Sequence, residues 1–108
     1  MGSWLAALQM TGEKWTANSV PSRFVKASVE AACGSFADAA REAAQSSARP
    51  AVRDPLRRLI AESRAASDLL RRAAAAQDRA SALPVVQRLA ALRARFTALA
   101  QAGQVGER

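Results

Sequence analysis

Alanine fills 28 of the 108 positions, slightly more than half of the 54 residues that count as hydrophobic. No other feature constrains the fold as tightly. Alanine has the highest intrinsic helix propensity, and the β-branched and aromatic residues that favour strands are scarce. The chain is therefore expected to be all-α. Only 26 larger apolar residues remain to fill a core, so the core must be thin and the helices must approach one another closely through alanine. A chain of this length fits one domain, which would bury something over roughly 60% of its unfolded surface.

The apolar residues recur with helical spacing. Ser3 caps a short helix from Trp4 to about Gln9, and Gly12 sets a turn at Thr11–Lys14. A second helix starts near Val20–Ser22, with Pro21 in its first turn, and runs to about Ser46. Its inward stripe is Val25, Val29, Ala32, Phe36, Ala39 and Ala43, widened by Phe24 and weakened at Gly34. Ser46 to Asp54 is the connection. Asp54 and Pro55 then combine an N-cap residue with proline at the first helical position and start a third helix that extends to about Arg79. Leu56, Leu59, Ile60, Ser63, Ala66, Leu70 and Ala73 are expected to face inward there. Ser81 caps a last helix, with Pro84 in its first turn and Val85, Leu89, Leu92, Phe96 and Leu99 on its stripe. Gly103 ends it, leaving 104–108 as a frayed tail. Short connections make successive long helices antiparallel. The expected fold is a compact three- to four-helix bundle with a short N-terminal helix, a single domain over residues 1–103.

The composition removes several classes of chemistry. There is no histidine, no tyrosine and one cysteine, Cys33. A site built from His and Cys ligands and an internal disulfide are both excluded. A serine nucleophile would lack its usual base, and the five glycines are dispersed rather than gathered into a phosphate loop. The chain is expected to be no enzyme, with no metal, no cofactor and no small-molecule substrate. Cys33 is expected to act as a small buried hydrophobe. Glu30, Asp38, Glu42, Glu62, Asp68 and Asp78 are expected in solvated pairs, such as Lys26 with Glu30 at i,i+4. No run is long and apolar enough to span a membrane, and the first dozen residues lack the basic start of a secretory signal. The expectation is a soluble cytoplasmic protein.

The net charge of +7 is unevenly placed. Residues 1–48 carry four basic and four acidic residues, whereas residues 49–95 carry eleven arginines against four acids. Within that basic half, Arg57, Arg64 and Arg71 are spaced by seven. Arg58, Arg72 and Arg79 follow an adjacent line, with Ala65 in the missing step, and Arg88 and Arg95 repeat the spacing on the last helix. Seven residues make nearly two turns, so each line drifts only about 20° per heptad and advances about 10.5 Å. One explanation is the solvated face that any bundle needs. The other is a polyanion surface, because arginine forks match phosphate oxygens. Aromatics are absent between residues 49 and 95, so the expected contacts are to the phosphate backbone rather than stacked bases. Arg23, Lys26 and Arg41, in the neutral half, serve as the comparison set. Trp4 and Trp15 flank the weak N-terminal segment. They either fold onto the core or anchor a partner protein, since tryptophan is enriched at interface hot spots.

A basic, compact, all-helical chain with the lines Arg57/Arg64/Arg71 and Arg58/Arg72/Arg79 on its surface resembles the small subunit of CRISPR effector complexes, the ribonucleoprotein assemblies of antiviral defence. The resemblance is one of architecture across most of the chain and carries no diagnostic motif. It implies a non-catalytic subunit that holds RNA or DNA by its backbone and assembles with other subunits, including further copies of itself. Two other readings stand beside it. One is a helical protein-interaction or adaptor module that binds no nucleic acid. The other is a peripheral membrane protein that sets the basic face on anionic lipid, the weakest of the three because such helices usually place Trp, Phe or Leu beside the arginines.

Overall fold

The computed structural model describes residues 2–45 and 49–106, with side chains described up to residue 101. Four helices account for the described residues: α1 (Gly2–Thr16), α2 (Ser22–Gln45), α3 (Pro50–Ala75) and α4 (Arg79–Gly106). The chain is an all-α helical bundle. Helix α1 lies against α2 and α4, and α3 lies between α2 and α4 on the opposite side, so that α1 and α3 are diagonal. Gly2 sits beside Phe96 and Gly12 beside Val86, so α1 and α4 run antiparallel. The bundle measures 46 × 21 × 17 Å. At 1.5 Å per residue α1 is about 22 Å long and α4 about 42 Å. The end that holds the last turns of α2 and α4 and the first turns of α3 is therefore a three-helix structure. Three helices enclose less space, and that end is filled by Ala39, Ala40, Ala43, Leu56 and Leu99, whereas Trp15, Leu8, Val25 and Val29 occupy the four-helix end.

Several boundaries differ from the sequence expectation, each for a local reason. The N-terminal segment is one continuous helix from Gly2 to Thr16, not a short helix ended at Gly12. Gly12 is buried inside it, and a Cβ at that position would lie 2.7 Å from Val86 Cγ2. The missing side chain permits close helix contact, and burial of Leu5, Leu8 and Trp15 offsets the roughly 1 kcal/mol that glycine costs a helix. Helix α3 begins one turn earlier than expected, with Pro50 in its first turn and Pro55 inside the helix. Pro50 occupies a position where the absent N–H would have had no partner; Pro55 forfeits a single hydrogen bond. Asp54 is therefore not the cap. The same helix ends at Ala75 instead of Arg79. Helix α4 is capped by Asp78, not Ser81: the Ser81 amide donates to Asp78 Oδ1 at 3.2 Å, and the Ser81 hydroxyl donates to Oδ2 at 2.6 Å. At its other end α4 continues through Gly103 to Gly106. Glu107, Arg108 and the segment Ser46–Ala48 lie outside the described residues.

Two turns share one solution. After α1, the Ser19 amide donates to the Lys14 carbonyl (2.8 Å) and the Asn18 amide to Trp15 (2.9 Å), with Asn18 at φ 62°. After α3, Asp78 donates to Ala73 (2.9 Å) and Gln77 to Ala74 (3.1 Å), with Gln77 at φ 56°. Both are Schellman closures, in which the left-handed position usually falls to glycine. No glycine marks either place in the sequence.

Ser63 and Ser67 are fully buried among the apolar residues of α3. Each hydroxyl donates one turn back, Ser63 to the Leu59 carbonyl and Ser67 to the Ser63 carbonyl, both at 2.7 Å. Small side chains satisfied within their own helix let neighbouring helices come close without stranding a polar group.

Candidate nucleic-acid interface

On α3 the buried residues are Leu59, Ile60, Ser63, Ala66, Ser67, Leu70, Ala73 and Ala74. At 100° per residue, Arg57, Arg64 and Arg71 fall within about 40° of one another on one flank of this stripe. Arg58 and Arg72 lie about 100° further round, Arg58 toward the other flank and Arg72 nearly opposite the stripe. The tertiary contacts show where each row faces. Arg71 lines one cavity with Ser22, Arg23 and Lys26 of α2, so its row borders the seam between α2 and α3. Glu62, one turn beyond Arg58, pairs with Arg95 of α4, so Arg58 lies toward the seam between α3 and α4, whereas Arg72 points outward and shares Asp68 with Arg71. Arg88, seven residues before Arg95, lies on the same flank of α4. The arginines thus form two neighbouring rows along the exposed side of α3.

Arg79 does not belong to either row. It opens α4, and its side chain turns inward. Its Nε donates to the Trp15 carbonyl at 3.0 Å, its Nη2 donates to Asn18 Oδ1 at 2.9 Å, and its guanidinium carbon stands 5.0 Å from the centre of the Trp15 ring. Arg79 is a clamp that joins the first turn of α4 to the end of α1. Its heptad spacing from Arg72 is broken by the turn that separates the two helices, and its side chain is engaged within the fold rather than aligned with the rows.

Trp15 is engaged within the fold in the same way. It is fully buried, and its indole Nε1 donates to Ser22 Oγ at 3.0 Å, so it ties α1 to α2 and offers no anchor to a partner. Trp4 is half-buried and packs against the core. Cys33, expected to be buried, is partly exposed at the edge of the core.

The carboxylates divide the remaining arginines into paired and unpaired sets. Asp68 bonds both Arg71 (2.5 Å) and Arg72 (2.9 Å), and Glu62 bonds Arg95. The hydrogen bond from Arg71, and after it the charges of Arg72 and Arg71, hold the Asp68 carboxyl below the usual carboxylate range despite its partial desolvation. The bond to Asp68 in turn raises Arg71, with smaller contributions across the seam from Cys33 and Glu30 on α2. Among the described residues Arg57, Arg58, Arg64 and Arg88 form no ion pair, and the expected Lys26–Glu30 pair is not formed. All four of these arginines are exposed.

Three basic residues join this face that the heptad argument left out. Arg53 is four residues before Arg57 and continues its row, which became visible only when α3 proved to start at Pro50. Arg23 and Lys26 stand beside Arg71 across the α2–α3 seam, so they are part of the basic face and cannot serve as its controls. Arg93, seven residues after Val86, lies on the flank of α4 that touches α1 and is remote from both rows.

The class of protein so defined is an antiparallel four-helix bundle with a basic face centred on its third helix. No family model, curated protein or solved structure matches the chain. No helix among the described residues is long and apolar enough to cross a membrane.

Proposed function

We propose that the chain is a non-catalytic subunit that binds the phosphate backbone of a nucleic acid across the face centred on α3. The observation that carries this reading is the set of four exposed arginines without carboxylate partners, Arg57, Arg58, Arg64 and Arg88, on two neighbouring helices. Arg72, Arg95 and Arg71 extend the two rows. A solvated face needs charge, but it does not need this excess of one sign. Guanidinium forks along a helix suit the oxygens of backbone phosphates and carry no information about bases. The large exposed apolar residues, Met10, Phe24, Val52, Leu69 and Leu83, are spread over all four helices, so the adaptor reading gains no single apolar patch. The resemblance to small subunits of CRISPR effector complexes supports placing the chain in a larger ribonucleoprotein assembly, where copies side by side would join their basic faces into one groove.

The experiment is a salt titration of oligonucleotide binding with the triple variant Arg57→Glu, Arg64→Glu, Arg71→Glu. The variant is expected to lose binding and keep its helicity. Lys14, exposed on α1, and Arg93 are the controls. If four phosphates are neutralised, affinity falls about 10²-fold between about 50 and 200 mM salt. Binding that survives the triple substitution, or that falls equally with the controls, returns the two rows to ordinary solvated surface.

A further inference from the structure

The row Arg57, Arg64, Arg71 ends at a cavity of about 280 Å³ between α2 and α3. Ser22, Arg23 and Lys26 line it from α2, and Arg71 lines it from α3. Ala74 and Ala75 give it an apolar wall, and Gln77 closes the end nearest the α3–α4 turn. Three of its lining side chains are cations and none is a carboxylate. Asp68 engages only part of Arg71, whose guanidinium has five N–H donors, and Lys26 and Arg23 form no ion pair among the described residues. The polar groups at the rim are held in place. Ser22 Oγ accepts from Trp15 Nε1 at 3.0 Å and donates to Gln77 Oε1 at 3.1 Å. Gln77 therefore turns its amide nitrogen, a donor, away from this bond.

An exposed row and a concave site suit different phosphates. A backbone diester carries one charge and is reached from an open surface. A phosphomonoester carries close to two charges at neutral pH and three strong acceptor oxygens, and it demands several cations around one point. We propose that the cavity between α2 and α3 is a phosphomonoester site in which Arg23, Lys26 and Arg71 hold a dianionic phosphate. The monoester is either the terminal phosphate of a strand whose backbone continues over Arg64 and Arg57, or that of a free mononucleotide. The first source rests on the nucleic-acid reading above; the second does not.

The test uses single-stranded oligonucleotides with and without a terminal phosphate, labelled at the other end and read by fluorescence anisotropy. Adenosine monophosphate and inorganic phosphate are titrated in parallel by calorimetry. The variants are Arg23→Gln, Lys26→Gln and their combination, all at exposed positions, with circular dichroism confirming the helices. A terminal phosphate is expected to tighten binding at least about tenfold, the worth of one charge-assisted hydrogen bond. The double variant is expected to lose that preference, binding the phosphorylated and unphosphorylated strands equally, whatever the loss both share from removing two cations of the basic face. Binding of the free monoesters, lost in the double variant, with no strand bound at all, supports the site and refutes the nucleic-acid reading. A preference that is absent, or that survives the double substitution, together with no monoester binding that depends on Arg23 and Lys26, overturns the site. The nucleic-acid reading then stands or falls on Arg57, Arg64 and Arg71 alone.

Discussion

Gly12→Ala tests whether α1 is docked as described. The added Cβ would lie 2.7 Å from Val86 Cγ2 and 3.6 Å from Leu70 Cδ1. The first distance is about 0.7 Å short of ordinary van der Waals contact. Val86 is nearly buried, at 8% exposure, and a β-branched side chain in a helix has one strongly preferred rotamer, so it cannot swing aside. Overpacking of this kind costs about 1–3 kcal/mol, against a gain of about 1 kcal/mol from replacing glycine in a helix. The net expectation is a loss of up to about 2 kcal/mol. Gly34→Ala supplies the matched control. It lies inside α2, and a Cβ there meets nothing within 4 Å, so only the propensity gain remains. For a chain of this length about 1 kcal/mol moves Tm by about 4 °C. Gly34→Ala should therefore raise Tm by about 4 °C, while Gly12→Ala lowers it or leaves it unchanged. Thermal and urea unfolding followed by circular dichroism measure both. If the two alanines stabilise the protein equally, α1 does not approach α4 as closely as the structure requires.

Arg79→Met removes the bonds to the Trp15 carbonyl and Asn18 and the contact with the Trp15 ring; urea unfolding should show a loss of about 1–3 kcal/mol, while oligonucleotide affinity and its salt dependence stay unchanged in the folded protein. A loss of binding without a loss of stability would put Arg79 back among the phosphate-contacting residues. Acid should weaken the fold through Asp68 and Asp78, held below the usual carboxylate range first by the hydrogen bonds from Arg71 and from the Ser81 hydroxyl respectively. Because their folded pKa values lie below the unfolded value of about 3.9, their contribution is present above that pH and lost as pH falls through the folded values. The urea midpoint should hold between about pH 7 and 5 and fall below about pH 4; an Asp68→Asn, Asp78→Asn variant that shows an undiminished acid loss would contradict this assignment.

The identity and periods of the helices were legible because both depend on near neighbours in the chain. Alanine propensity and the 3–4 spacing of Val25, Val29, Ala32 and Phe36 act within one helix, and that stripe is the one buried. Boundaries were less legible where one residue type serves two purposes. Gly12 resembles a turn but makes a contact, and Asp54 with Pro55 resembles a start but lies one turn inside α3. The closures at Asn18 and Gln77 use side chains that do not announce a left-handed backbone.

The candidate site shows the same division. By its own sequence the chain determined that positive charge is concentrated after residue 48 and that Arg57, Arg64 and Arg71 share one flank, since a flank is a property of a single helix. Which neighbour faces that flank depends on how helices distant in sequence pack, and only the tertiary structure decided it. The packing brought Arg23 and Lys26 from the electrically neutral half against Arg71, paired Glu62 with Arg95 across the α3–α4 seam, and withdrew Arg79 and Trp15 into one clamp. The physical reason is range: helix periodicity repeats every few residues, whereas the pairings that gather charge or bury it join residues up to 64 positions apart.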